Sequence, residues 1–122
     1  MQKLIDLLPK DKDNIYFCCI GTDRSTGDSL GPLVGSGLEN LGFNHVIGTL
    51  RYPLHAVNLK ERVGAIPEDA FVIAIDSCLG GQEDIGHIKV KGKPLKPGAG
   101  VNKKLMAVGN ICIVGIVNVY IE

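Results

Sequence analysis

Ile15-Tyr16-Phe17-Cys18-Cys19-Ile20 is an apolar run without polar alternation, and it breaks straight into Gly21-Thr22-Asp23-Arg24-Ser25-Thr26-Gly27-Asp28. A strand that does not alternate is one covered on both faces, so the run belongs inside a sheet with layers above and below it. The loop after it crowds carboxylates (Asp23, Asp28), a guanidinium (Arg24) and hydroxyls (Thr22, Ser25, Thr26) into a few residues. Gly21 and Gly27 permit backbone angles that other residues resist. Polar groups at that density, placed directly after a core strand, mark a site more than a connection.

The rest of the chain can be placed around that strand. Met1 to Leu8 reads as a short helix with Leu4, Leu7 and Leu8 on one side. Leu30, Leu33, Val34, Leu38 and Leu41 recur at helical spacing. Asp28 or Ser29 would cap this helix, Pro32 fits its first turn and Gly42 ends it. Gly35 and Gly37 weaken it by roughly 1 kcal/mol each, which close packing on the sheet would offset. Val46 to Leu50 reads as a second strand, and Pro53 opens a second helix with Ala56, Leu59 and Val63 inward and Gly64 at its end. Ala70 to Ile75 is a third apolar strand, ended by Asp76, and Gly80-Gly81 breaks the chain. Ile85 to Val90 alternates as an antiparallel edge strand would. Lys91 to Lys104 is a long loop, and Ile111 to Val117 is the last strand, followed by Asn118.

This order predicts an α/β fold: a three-layer α/β/α sandwich with a mostly parallel sheet and right-handed crossovers, in one domain over residues 1–122. Ligands of such sheets bind at the carboxyl ends of the strands. That edge should hold the 23–28 loop, Asp76 and Asn118 together.

Composition removes several functions. Lys+Arg and Asp+Glu number 13 each, Trp is absent and no basic run occurs, so no nucleic-acid partner is expected. No apolar run approaches the ~20 residues of a membrane helix, and Met1 to Asp13 has no signal-peptide pattern, so the expected location is cytoplasmic. Cys18, Cys19, Cys78 and Cys112 form no Cys-x-x-Cys pair. Cys18, Cys19 and Cys112 read as buried small hydrophobes, with Cys18 and Cys19 on opposite faces of their strand, while Cys78 stands apart because it follows Asp76. The glycine loop has neither a Gly-Lys-Ser/Thr nor a Gly-x-Gly-x-x-Gly pattern, and its aspartates would repel phosphate, which argues against nucleotide binding.

Two aspartates reaching one sheet edge suggest a carboxylate pair. Asp28 precedes a helix start, where negative charge is favourable. Asp76 follows apolar residues, and desolvation should raise its pKa. Such a pair can activate water and protonate a leaving amine, which is peptide hydrolysis. Taken singly, Asp28 reads equally well as a cap and Asp76 as a turn former. A metal reading competes: Asp28, Asp76 and a histidine, best His55, could hold a divalent ion, although His45, His55 and His87 form no ligand-spaced pair. Arg24 reads as a substrate carboxylate clamp or as the ion-pair partner of Asp23 or Asp28. Pro97-Gly98-Ala99-Gly100 could offer N–H groups to an oxyanion or be a tight turn. The Ile85–Val90 edge could accept an extended peptide.

The segment Ile20-Gly21-Thr22-Asp23-Arg24-Ser25-Thr26-Gly27-Asp28-Ser29-Leu30-Gly31-Pro32 resembles the signature of the YyaC-type sporulation proteins of spore-forming Firmicutes. His55-Ala56-Val57-Asn58-Leu59, Ile75-Asp76-Ser77-Cys78-Leu79-Gly80 and Lys96-Pro97-Gly98-Ala99-Gly100-Val101-Asn102-Lys103 match further segments in order. The family is similar to the spore germination protease and, more remotely, to hydrogenase maturation endopeptidases. The resemblance implies a phosphorylase/hydrolase-like fold of the hydrogenase maturation protease kind. It also implies a peptidase of small spore proteins with Asp28 and Asp76 as the catalytic pair. Thr22, Asp23, Arg24, Ser25, Thr26, Gly98, Gly100 and Asn102 would then shape the substrate site. No cofactor is called for, except the divalent metal of the alternative set Asp28, Asp76 and His55. Two other outcomes stay open: a non-catalytic sporulation binding protein on the same fold, and a metal-dependent maturation endopeptidase. The location implied is the forespore or mother-cell cytoplasm. Relatives continue into at least one more helix beyond the last strand. Without it, the apolar sheet would need covering by a partner subunit, as in a homo-oligomer, or by Met1 to Leu8.

Overall fold

Cys18 and Cys19, neighbours in sequence, lie in two different hydrophobic clusters on opposite faces of one sheet. The computed structural model describes residues 2–24, 27–97 and 105–119. Its strands are β1 (Ile15–Cys19), β2 (Val46–Ile47), β3 (Phe71–Gly80), β4 (Ile88–Lys91) and β5 (Ile111–Val119). They lie in the order β2-β1-β3-β5-β4. β1 pairs in parallel with β2 and β3, and β3 in parallel with β5; β4 runs antiparallel to β5 at the edge. The mostly parallel α/β sheet and its antiparallel edge strand are therefore as the patterning predicts.

Helices α1 (Gln2–Leu7) and α2 (Leu30–Asn40) serve the face of Cys19, Ile73, Ile75 and Ile111, where Leu4, Leu7, Leu8, Val34 and Leu38 pack. The short α3 (Leu59–Gly64) serves the other face, where Leu54, Leu59, Val108 and Val114 are fully buried beside Cys18 and Cys112. Burying a side chain of this size contributes roughly 1.5–3 kcal/mol over leaving it exposed. Leu4, Leu7 and Leu8 thus cover part of the sheet, as the first segment's apolar side requires.

Several elements differ from the sequence expectation. Leu33 of α2 and Leu41 just after it are exposed, and the buried positions of the helix are Gly31, Pro32 and Gly35. A Cβ on Gly35 would lie 1.9 Å from the Gly48 carbonyl oxygen, and one on Gly31 would lie 2.1 Å from that of Ile20. The backbones meet there, so Gly31 and Gly35 make the closest approach to the sheet, with Val34 and Leu38 packing beside them. Gly37 touches nothing within 4 Å, so the packing offset applies to Gly35 alone. β2 has two residues instead of five, since Gly48 turns the chain with φ +98°. Pro53 does not open a helix: the segment to Asn58 is a turn, α3 begins at Leu59 and Ala56 is exposed. β3 runs past Ile75 to Gly80 because β5 pairs with it through Asp76↔Val114 and Ser77↔Gly115, with a register shift at Cys78/Leu79. Asp76 is therefore inside the strand and not at its end. Gly27 belongs to a 3-10 turn, Gly27–Ser29, and the unusual backbone angle falls on Gly21 alone of the two. The edge strand begins at Ile88, not Ile85. No helix among the described residues is long and apolar enough to cross a membrane.

Candidate functional site

The site is built where β1 runs out. The Ile20 N–H donates to the Ile75 carbonyl at 2.8 Å, and the Gly21 N–H donates to the Leu54 carbonyl at 2.9 Å. Residues 54, 20 and 75 thus stand side by side, and Asp76 follows in register with the start of the loop. Gly21 has φ +143°, and a Cβ there would meet the Asp28 carbonyl oxygen at 2.2 Å. This close approach folds the loop back on itself. The Thr22 N–H donates to that same carbonyl at 3.0 Å, and Thr22 Oγ1 donates to Asp28 Oδ2 at 3.3 Å. The Arg24 N–H reaches Thr22 Oγ1 at 3.4 Å.

The Asp28 carboxylate is exposed on the 3-10 turn, which packs against β3. Asp76 is half-buried, and its Oδ1 accepts the Ser77 N–H at 2.7 Å. Burial pushes the Asp76 carboxyl up to about 7; the Ser77 N–H pulls against this, and the negative charge of Asp28 adds to it. The two acids singled out from sequence are therefore in electrostatic contact. The loop reaches the neighbourhood of the last strand too, since Gly27 lies near Val117, ahead of Asn118.

Other candidates fall out differently. Asp23 and Arg24 are exposed, and Arg24 makes no ion pair with a described residue. This removes the structural reading in which Arg24 neutralises Asp23 or Asp28, and leaves its guanidinium open to a ligand. Among the described residues, no three His, Cys, Asp or Glu side chains gather as a metal site would require. His55 Nδ1 instead accepts the Val57 N–H at 3.3 Å, His45 stacks on Tyr16, and His87 lies 3.7 Å from Asp84. The metal set of Asp28, Asp76 and His55 is thus not assembled. Ser25, Thr26, Gly98, Gly100 and Asn102, with the Gly98–Gly100 oxyanion reading, lie outside the described residues.

One feature was not singled out from the sequence. A surface depression of about 390 Å³ is lined by Arg51, Tyr52, Pro53, His55, Asn58 and Arg62. It adjoins Leu54, the hydrogen-bond partner of Gly21. A second, of about 230 Å³, lies around Val63, Glu68 and Asn110. Neither contains Asp28 or Asp76. The only sequence signal for the first was the cluster Arg51-Tyr52-Pro53 just before His55, which carries no spacing rule.

A family model described as "Protein of unknown function (DUF1256)" matches residues 1–122. Among curated proteins, the chain is similar to the "Uncharacterized protein YyaC" of Bacillus subtilis (strain 168), with 53% identity over 110 residues. The match covers 86% of this chain and 54% of the relative, so the chain spans about half of that relative's length. No solved structure matches.

Proposed function

The chain belongs to the DUF1256 family, and from that premise we propose that it is a peptidase acting through the pair Asp28 and Asp76. The observation that carries the reading is the Asp76 carboxyl, raised to about 7 by burial with the Asp28 charge beside it. A carboxyl in that range can hold a proton near neutral pH and give it up, as a general acid must. In the proposed reaction Asp28, as carboxylate, takes a proton from water while the water oxygen attacks the peptide carbonyl carbon. Asp76, as carboxylic acid, then protonates the amide nitrogen as the C–N bond breaks. Thr22 holds Asp28 through its hydroxyl, and Arg24, which makes no ion pair with a described residue, positions a carboxylate of the substrate. Asp23, Ser25, Thr26, Gly98, Gly100 and Asn102 complete the proposed substrate site.

The finer architecture proposed with it is the phosphorylase/hydrolase-like sandwich of hydrogenase maturation proteases. The proposed substrates are small spore proteins in the cytoplasm of a spore-forming Firmicute, and no cofactor takes part. A second reading is a non-catalytic binding protein on the same fold. It draws on the exposure of Asp28 and on the two depressions, neither of which contains the acids. Incubating the purified chain with small acid-soluble spore proteins separates the readings. Peptide fragments that disappear with Asp28→Asn and with Asp76→Asn support hydrolysis; substrate left whole but retained on the protein supports binding.

A further inference from the structure

The depression beside Leu54 has a one-sided chemistry. Of its lining residues none is acidic, and neither Arg51 nor Arg62 makes an ion pair with a described residue. Arg62 Nη1 donates to the carbonyls of Tyr52 and Pro53, both at 3.0 Å. Those bonds occupy one nitrogen and fix the guanidinium plane. The N–H groups on Nε and Nη2 have no described partner. Arg51 sits over the Tyr52 ring, 5.5 Å from its centroid. His55 Nδ1 accepts the Val57 N–H, so in the neutral ring the proton is on Nε2, which is then a donor. Asn58 is held at both ends: its Oδ1 accepts the His55 N–H at 2.8 Å and its Nδ2 donates to the Pro53 carbonyl at 3.0 Å, which uses one of its two N–H groups. The side-chain donors left over at this surface are thus the Arg51 guanidinium, Nε and Nη2 of Arg62, an imidazole N–H, one Asn58 N–H and a phenol.

The turn that carries them is fixed from below. The Tyr52 N–H donates to Thr49 Oγ1 at 3.0 Å, the Thr49 N–H donates to the Tyr52 carbonyl at 3.2 Å, and the Leu50 N–H donates to Ser36 Oγ at 3.0 Å. Donors held in place without a compensating carboxylate are a preorganised anion site. We propose that this depression binds a phosphate monoester, with Arg51 and Arg62 on the phosphate and Tyr52 against the group that carries it. Two cations favour a dianion over a carboxylate, and planar guanidiniums match phosphate oxygens in pairs. At about 390 Å³ the space also accepts more than the oxyanion alone. This site is separate from the glycine loop, where two aspartates repel phosphate, and it does not rest on the peptidase reading.

The test is an NMR titration of the full chain with inorganic phosphate at constant ionic strength, with acetate as the control anion. The expected result is saturable shifts at His55, Arg51 and Arg62, with acetate at least about tenfold weaker. Arg51→Glu, an exposed change that spares the bonds of Arg62, should weaken phosphate about tenfold or more. Phosphoserine and a sugar phosphate then report whether an amino acid or a sugar carries the group. Absence of a saturable shift, equal binding of acetate, or unchanged affinity in a folded Arg51→Glu protein would overturn the proposal. Binding is read without turnover, so either result leaves the Asp28–Asp76 reaction to its own test.

Discussion

Asp28 sits close enough to Asp76 for its negative charge to add to the burial that lifts the Asp76 carboxyl to about 7. Asp28 comes from the 3-10 turn after β1 and Asp76 from inside β3, and they are joined because Gly21 turns the loop back over the end of β1. Removing the Asp28 charge should therefore lower the Asp76 pKa without returning it to the ordinary carboxylate range, since burial is the larger cause. Carbon-13 NMR titration of the Asp76 carboxyl in Asp28→Asn measures this. An unchanged midpoint would mean the two groups do not sense each other, and the paired chemistry would go with it.

The same raised pKa makes a prediction about stability. In the unfolded chain Asp76 titrates near 3.8, and in the folded chain near 7. Between those values the folded state binds the extra proton, so stability falls as pH rises through that window. Above it the folded protein carries a half-buried charge. Asp76→Asn removes that charge while keeping a group that can accept the Ser77 N–H. The variant should be more stable than the parent at pH 8, by on the order of 1–3 kcal/mol, and should lose the decline between pH 4 and 7. Thermal melts across that range check it, and a variant less stable than the parent at pH 8 would contradict the origin given for the shift. A substitution that abolishes cleavage and raises stability would also mark Asp76 as a residue kept for chemistry.

How much of this was readable in the sequence depends on the kind of signal. The opposite faces of Cys18 and Cys19 follow from the period of a strand, and the antiparallel edge from the alternation near Ile88. Both are local patterns, and both are present. The inward face of α2 was readable only in part. Of Leu30, Leu33, Val34, Leu38 and Leu41, Val34 and Leu38 pack on the sheet while Leu33 and Leu41 are exposed; the closest approach is set by where backbones can touch, at Gly31 and Gly35. The extent of β3 was hidden too. Asp76-Ser77 and Gly80-Gly81 look like a strand end, yet pairing with β5 carries the strand through them. Asp28 and Asp76 were legible as two acids near the end of β1, although the sequence put Asp76 at the end of β3 and the structure puts it inside that strand. The Arg51–Arg62 depression was not, because only the fold of the 48–58 turn brings those arginines together.

The contrast between two glycines of α2 can be measured. Gly35→Ala would drive a Cβ to 1.9 Å from the Gly48 carbonyl oxygen, a backbone atom that cannot swing aside. It should cost roughly 1–3 kcal/mol or more, as overpacking does. Gly37→Ala enters open space in the same helix and should add about 0.5–1 kcal/mol, because alanine loses less conformational freedom on folding. Urea unfolding of the two variants should give opposite signs. Equal effects would place the helix differently on the sheet.

The cysteines offer a probe of the sheet itself. Burial pushes Cys18 and Cys19 up to about 12, opposed at Cys18 by Arg62 and reinforced at Cys19 by Cys18. Cys112 is buried, and its thiol is also raised by burial. Cys78 is raised for the same first reason, with Lys91 and Lys89 pulling back and Asp76 adding to the rise; lysines pull back on Cys112 too, so what sets Cys78 apart is that it is half-buried and not buried. Reactivity with an alkylating reagent follows the thiolate fraction and access. In the folded protein at pH 8, Cys78 should therefore be modified first, and Cys18 and Cys19 should react only through unfolding. Mass spectrometry of peptides after timed alkylation checks the order, and denaturant should release all four. Cys18 and Cys19 flank the sheet on both sides, so protection of the pair requires both covering layers to be in place. Fast labelling of Cys19 alone would mean that α1 and α2 leave their face of β1, and fast labelling of Cys18 alone would mean that α3 and the 54–59 turn leave theirs.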